Sequence, residues 1–100
     1  MISNHYTNDR EARENLIQTI GYGHIIKTVV VDRHHPNGPE VHKVSDTGII
    51  FIYNQRTEKM VTKLIARPGQ IRRYYSEGEQ IPAGLLDIAR EHQKMSYNYR

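Results

Sequence analysis

Five side chains of this chain have the right types for a metal-free attack on a phosphodiester: His42, Tyr53, Thr62, Arg67 and Tyr74. When a ribose 2′-hydroxyl attacks its own adjacent phosphate, a base must take the hydroxyl proton. An acid must protonate the leaving 5′-oxygen, and cations must hold the crowded phosphorane. Histidine suits the proton transfers because an imidazole titrates near neutrality. Arginine suits the phosphate because its planar fork can bind two oxygens. Tyrosine and threonine add hydrogen bonds, and a tyrosine ring can stack on a base. The candidate catalytic set is therefore His42, Tyr53, Thr62 and Arg67, with Lys63, Arg72, Arg73 and Tyr74 as candidate nucleic-acid-binding residues. Each also has a plainer reading. A strand histidine is more often packed than catalytic, Tyr53 fits a core-edge aromatic with a wet hydroxyl, and Thr62 suits any strand. The run Arg72-Arg73-Tyr74-Tyr75 is the least ordinary. Cations beside aromatics form nucleic-acid contacts, and protein interfaces as well.

Other chemistries find less support. The chain has no cysteine, which excludes disulfides, zinc-thiolate sites and a thiol nucleophile. His34, His35 and His42 lie on or beside one hairpin, but adjacent histidines on an extended strand point to opposite faces. No HExxH spacing, Gly-x-Ser-x-Gly elbow or Gly-rich phosphate loop is present. Neither a metal nor a cofactor is expected.

Charge is unevenly distributed. From Arg56 to Tyr75 there are six cations (Arg56, Lys59, Lys63, Arg67, Arg72, Arg73) and one anion (Glu58), a balance of +5 in a chain of net +3. The sequence pI is about 9.3. Such concentration favours a polyanionic partner, RNA or another nucleic acid, bound without sequence information. The first residues, MISNHYTNDRE, contain no apolar stretch, and the longest apolar run is Ile49 to Tyr53. Neither a secretory leader nor a membrane span is expected, so the expectation is a soluble cytoplasmic protein without a membrane partner.

The elements that must position these residues follow from periodicity. The length of 100 residues suits one domain, with 1–6 and 95–100 as flexible ends. Thr7 or Asn8 is a plausible N-cap for a helix over 7–20, whose apolar stripe is Ala12, Leu16, Ile17 and Ile20. Gly21 and Gly23 stop it. The β-branched stretch His24 to Asp32 predicts a strand, Pro36-Asn37-Gly38-Pro39 a turn, and Val41 to Ser45 the returning strand. After Asp46-Thr47-Gly48, the apolar IIFIYN (49–54) predicts a central strand. Met60 to Ala66 is the fourth strand. There Val61, Lys63 and Ile65 share one face, and Thr62, Leu64 and Ala66 the other. The small and polar residues of the second face predict close approach of a helix or ligand. Gln70 to Tyr75 fits a helical turn or a fifth strand. Ala83 to Lys94 predicts a helix with Leu85, Ile88, Ala89 and His92 on its inner side. The expected fold is α+β: an N-terminal helix, a four-stranded antiparallel meander sheet and a C-terminal helix.

A helix followed by such a meander, closing in MVTKLIARPGQIRRYY, resembles the barnase–EndoU–colicin–RelE-like nuclease group, and most of all its small phage and prophage versions. The matching pieces are helix 7–20, the strand GIIFIYN, the turn Thr57 to Lys59 and that closing stretch, covering roughly 7–75. The resemblance implies a metal-independent ribonuclease acting on RNA or tRNA, with His42, Thr62 and Arg67 as the carried-over positions. The alternative expectation is a non-catalytic interaction module. In it the basic face docks on a nucleic acid or an acidic protein, and apolar residues of helix 83–94 form a homodimer.

Overall fold

Ile49, Ile50, Phe51 and Ile52 are all buried, so the strand that carries them must be covered on both faces. The computed structural model describes residues 2–32 and 36–97, with side chains over 11–32 and 36–94. The elements are α1 (Ile2–Ile20), β1 (Ile25–Val31), β2 (Glu40–Ser45), β3 (Ile49–Asn54), β4 (Met60–Ile65), α2 (Pro68–Arg73) and α3 (Leu85–Tyr97). The strands form one antiparallel sheet in the order β1-β2-β3-β4. This is the expected α+β meander, with IIFIYN inside it.

Register assigns the faces. Ile50 pairs with Val44 and Leu64, and Ile52 with His42 and Thr62. Directly paired residues share a face. That face meets α2 and α3 in a core of Val44, Ile50, Ile52, Ala66, Ile71, Leu85 and Ala89. The opposite face presents Ile49 and Phe51 to Ile17 of α1. The expectation that a helix approaches the Thr62–Ala66 face holds: Ala66 is buried in the α2/α3 core.

Several boundaries differ from the periodic reading, and one open alternative is decided. The first helix begins at Ile2, so Thr7 and Asn8 are interior rather than caps. Such residues are tolerated inside helices when their side chains do not divert the backbone. The returning strand begins at Glu40, one residue earlier than expected. Gln70 to Tyr75 does not form a strand. It lies across α2 and its C-cap, with Pro68 in the first turn and the Gln70 side-chain oxygen accepting the Arg67 backbone N–H at 2.9 Å. The last helix begins at Leu85, because Gly84 has φ +85° and cannot lie in a right-handed helix. His34 and His35 lie outside the described residues. No helix among the described residues is long and apolar enough to cross a membrane.

The turn after β2 ties α1 to the sheet. Buried Ser45 Oγ accepts from the Ile49 N–H at 3.0 Å and the Thr47 N–H at 3.3 Å. Thr47 Oγ1 donates to the Gly21 carbonyl at 2.8 Å, and Asp46 Oδ1 accepts from the His24 N–H at 2.8 Å. Gly23 packs into this knot at φ +65°, where an added Cβ would collide with the Asp46 carboxylate and the Thr47 side chain. Gly23→Ala is therefore expected to cost about 2 kcal/mol, lowering the melting temperature by roughly 10 °C. Gly69→Ala, where a Cβ meets open space inside α2, should leave it unchanged or raise it.

His92 on α3 is buried against the same turn. Its Nδ1 has no hydrogen-bond partner among the described residues and lies 3.4 Å from where a Gly48 Cβ would stand. Burial lowers its pKa from the ordinary 6.5. The unfolded chain therefore binds a proton at pH values where the folded chain does not. Stability conferred by His92 is present above about pH 6.5 and is lost as the pH falls below it. Urea melts across this range should show that loss, and His92→Leu should reduce it.

Candidate nucleic-acid interface

His42 lies on β2 beneath α2 and is only 3% exposed. Glu40 is two residues away on the same strand and so shares its face. Its Oε1 lies 3.0 Å from His42 Nε2, and Tyr74 Oη lies 2.5 Å from Nδ1. A carboxylate only accepts, so Nε2–H donates to Glu40, and in the neutral ring Nδ1 accepts from the Tyr74 hydroxyl. The chain Glu40–His42–Tyr74 thus joins β2 to the residue that caps the C-terminus of α2. Chemically it is a path for a proton between a phenol and a carboxylate. Mechanically it fastens the end of α2 to the sheet. Sequence reasoning overlooked Glu40, because the strand was expected to begin at Val41. The Glu-x-His spacing was the available signal.

The candidate catalytic residues do not meet in one cleft. Because His42 pairs with Ile52, the next residue, Tyr53, points to the other face. There Tyr53 packs against the cluster of Ile17, Ile49 and Phe51. Thr62, also paired with Ile52, is on the face of His42. Its hydroxyl makes only a 3.5 Å contact with the adjacent Lys63 carbonyl. Arg67 is exposed at the N-cap of α2.

Two lysines of the sheet, Lys63 and Lys27, form ion pairs within the molecule. Lys63 Nζ lies 3.2 Å from Glu14 Oε2 and 3.3 Å from Tyr22 Oη, above the Tyr22 ring. The hydrogen bond to Tyr22, and then that to Glu14, raise its pKa. Lys27 pairs with Glu79 and lies 5.0 Å from the centre of the Tyr75 ring. That bond, aided by the Ser76 N–H, lowers the pKa of Glu79. Burial raises the pKa of Tyr75. Lys63, expected to contact nucleic acid, is thus already balanced by a carboxylate.

The arginines of α2 differ. Arg67, Arg72 and Arg73 are exposed, and none forms an ion pair among the described residues. Ile71, buried between them in sequence, turns Arg72 and Arg73 outward. Tyr74 stands beside them, held by His42. No group of three or more histidine, aspartate or glutamate side chains able to hold a metal occurs among the described residues. The site defines an α+β protein with helices on both faces of a meander sheet and a short cationic helix on one of them. The chain matches no family model, no curated protein and no solved structure.

Proposed function

We propose that this chain is an RNA-binding protein that holds the phosphate backbone through Arg67, Arg72 and Arg73 on α2. The observation that carries the proposal is the exposure of these three guanidinium groups without a carboxylate partner, while Lys27 and Lys63 are paired. An exposed guanidinium with no internal anion gains most from a phosphate, which it can grip with two parallel bonds. Three phosphate contacts on single-stranded RNA predict that the logarithm of the binding constant falls with the logarithm of salt concentration with a slope of about −2. A titration of labelled RNA at several salt concentrations measures it, and a flat dependence would exclude a phosphate-driven interface.

Metal-independent cleavage is the second reading. The chain Glu40–His42–Tyr74 favours it, because a phenol hydrogen-bonded to an imidazole can exchange a proton. The 3% exposure of His42 and the placement of Tyr53 on the far face weigh against direct attack by the original set. Under cleavage, tRNA incubated with the protein in EDTA is degraded, and His42→Ala or Arg67→Ala abolishes this while the fold survives. RNA left intact between about pH 5 and 8 ends this reading.

A further inference from the structure

The face of the sheet that meets α1 is only partly covered. Ile17 and Ile20 of α1 close over Ile49, Phe51 and Ile65. Toward the other end, one apolar row crosses all four strands: Val30 pairs with Val41, Val41 with Tyr53, and Tyr53 with Met60. Val30 is 54% exposed and Met60 46%. Val61, 56% exposed, follows Met60 where the register slips. Exposed apolar side chains that adjoin in a row mark a contact surface more often than isolated ones do.

The border of this row is cationic. Lys43 shares the face of Val41, and its Nζ lies 5.1 Å from the centre of the Tyr53 ring. The two turns at this end are tied together. Asn54 Nδ2 donates to the Asn37 carbonyl at 3.0 Å, and the Gln55 N–H donates to the Pro39 carbonyl at 3.0 Å. Asn54 Oδ1 accepts from the Arg56 N–H at 2.9 Å and the Thr57 N–H at 3.0 Å. These bonds fix the turn that carries exposed Arg56 and Lys59. Lys43, Arg56 and Lys59 thus border the row, with Glu58 as the opposing charge in the same turn.

We propose that this face is a stacking platform for the unpaired bases of single-stranded nucleic acid. Tyr53 stacks on one base, Val30, Val41 and Met60 pack against the neighbouring bases and sugars, and Lys43, Arg56 and Lys59 meet the phosphates. The charge selects this occupant. An apolar row alone fits any apolar partner, but a cationic border fits a ligand whose flat apolar groups are joined by anions. A duplex hides those base faces and cannot use the row. The proposal rests on the nucleic-acid reading above and gives Tyr53 a role through its ring rather than its hydroxyl.

Anisotropy titrations of labelled oligouridine and of a blunt-ended RNA duplex of equal length test it, with Tyr53→Leu, Tyr53→Phe and the pair Arg72→Glu with Arg73→Glu. Melting curves confirm that each variant is folded. Tyr53→Leu should weaken oligouridine binding about tenfold, the loss of one stacked base, and leave the duplex unaffected. Tyr53→Phe should bind as wild type. The platform is overturned if folded Tyr53→Leu binds oligouridine normally. It is also overturned if sedimentation shows a dimer that Val30→Lys dissociates, which assigns the face to a second copy of the chain. If the arginine reversal changes nothing while Tyr53→Leu weakens binding, the α2 reading fails and the platform stands. If the wild-type chain binds neither oligonucleotide, both fail.

Discussion

Ile71→Ala is expected to lower the unfolding free energy by about 3 kcal/mol, the usual cost of emptying a fully buried isoleucine site. Ile71 is fully buried among Val44, Ile50, Ile52, Ala66, Leu85 and Ala89, and it is the buried residue of α2. A helix as short as Pro68–Arg73 has no stability of its own in water. It exists because Ile71 fills the core and because Tyr74 is fastened to His42. The loss should appear as a drop of roughly 10–20 °C in the melting temperature. RNA affinity should fall as well under conditions where the variant is still folded, since Arg72 and Arg73 would no longer be held in place. A drop smaller than about 5 °C would show that α2 is held chiefly by the Glu40–His42–Tyr74 chain rather than by Ile71.

Arg72→Glu combined with Arg73→Glu should have the largest effect on binding. Removing two phosphate contacts reduces the magnitude of the salt slope by about 1.4, and the two new carboxylates repel the backbone. At low salt the affinity should fall by about a hundredfold or more. Stability should change by at most about 1 kcal/mol. Both side chains are exposed, and the cost comes from placing acids where the C-terminal end of α2 favours bases. Salt-resolved titrations beside a thermal melt separate the two effects. An unchanged affinity would move the phosphate contacts off α2. Lys63→Gln offers a contrast. Because Lys63 already pairs with Glu14, its replacement should change RNA affinity far less than the α2 reversal.

The strands, their order and their alternation were legible because these properties are local. In β4, the opposite facing of Thr62 and Lys63 follows from the two-residue period of any strand, and the structure keeps it. The glycines that end α1 and the polar turns between strands could be read for the same reason. The short helix α2 was ambiguous. In Gln70 to Tyr75 one apolar residue precedes two arginines and two tyrosines, a pattern that fits neither period over so few residues. Pro68 and the contact of Gln70 with Arg67 decide for a helix, and burial of Ile71 holds it.

The candidate site was less legible, because it depends on pairings between distant residues. Whether Tyr53 joins His42 is set by the β2–β3 register, in which His42 meets Ile52, and a shift of one residue would have reversed it. Which cations stay available is likewise non-local: Glu14 takes Lys63 and Glu79 takes Lys27. Composition therefore determined that this chain carries an excess of positive charge between Arg56 and Tyr75, and periodicity determined its α+β meander. Only the packed chain decided that Lys63 is taken by Glu14 while the arginines beside and on α2 stay exposed without an ion pair among the described residues, and that His42 is an interior hydrogen-bonded group. Charge and alternation are properties of neighbours in sequence, whereas burial and ion pairing are properties of neighbours in space.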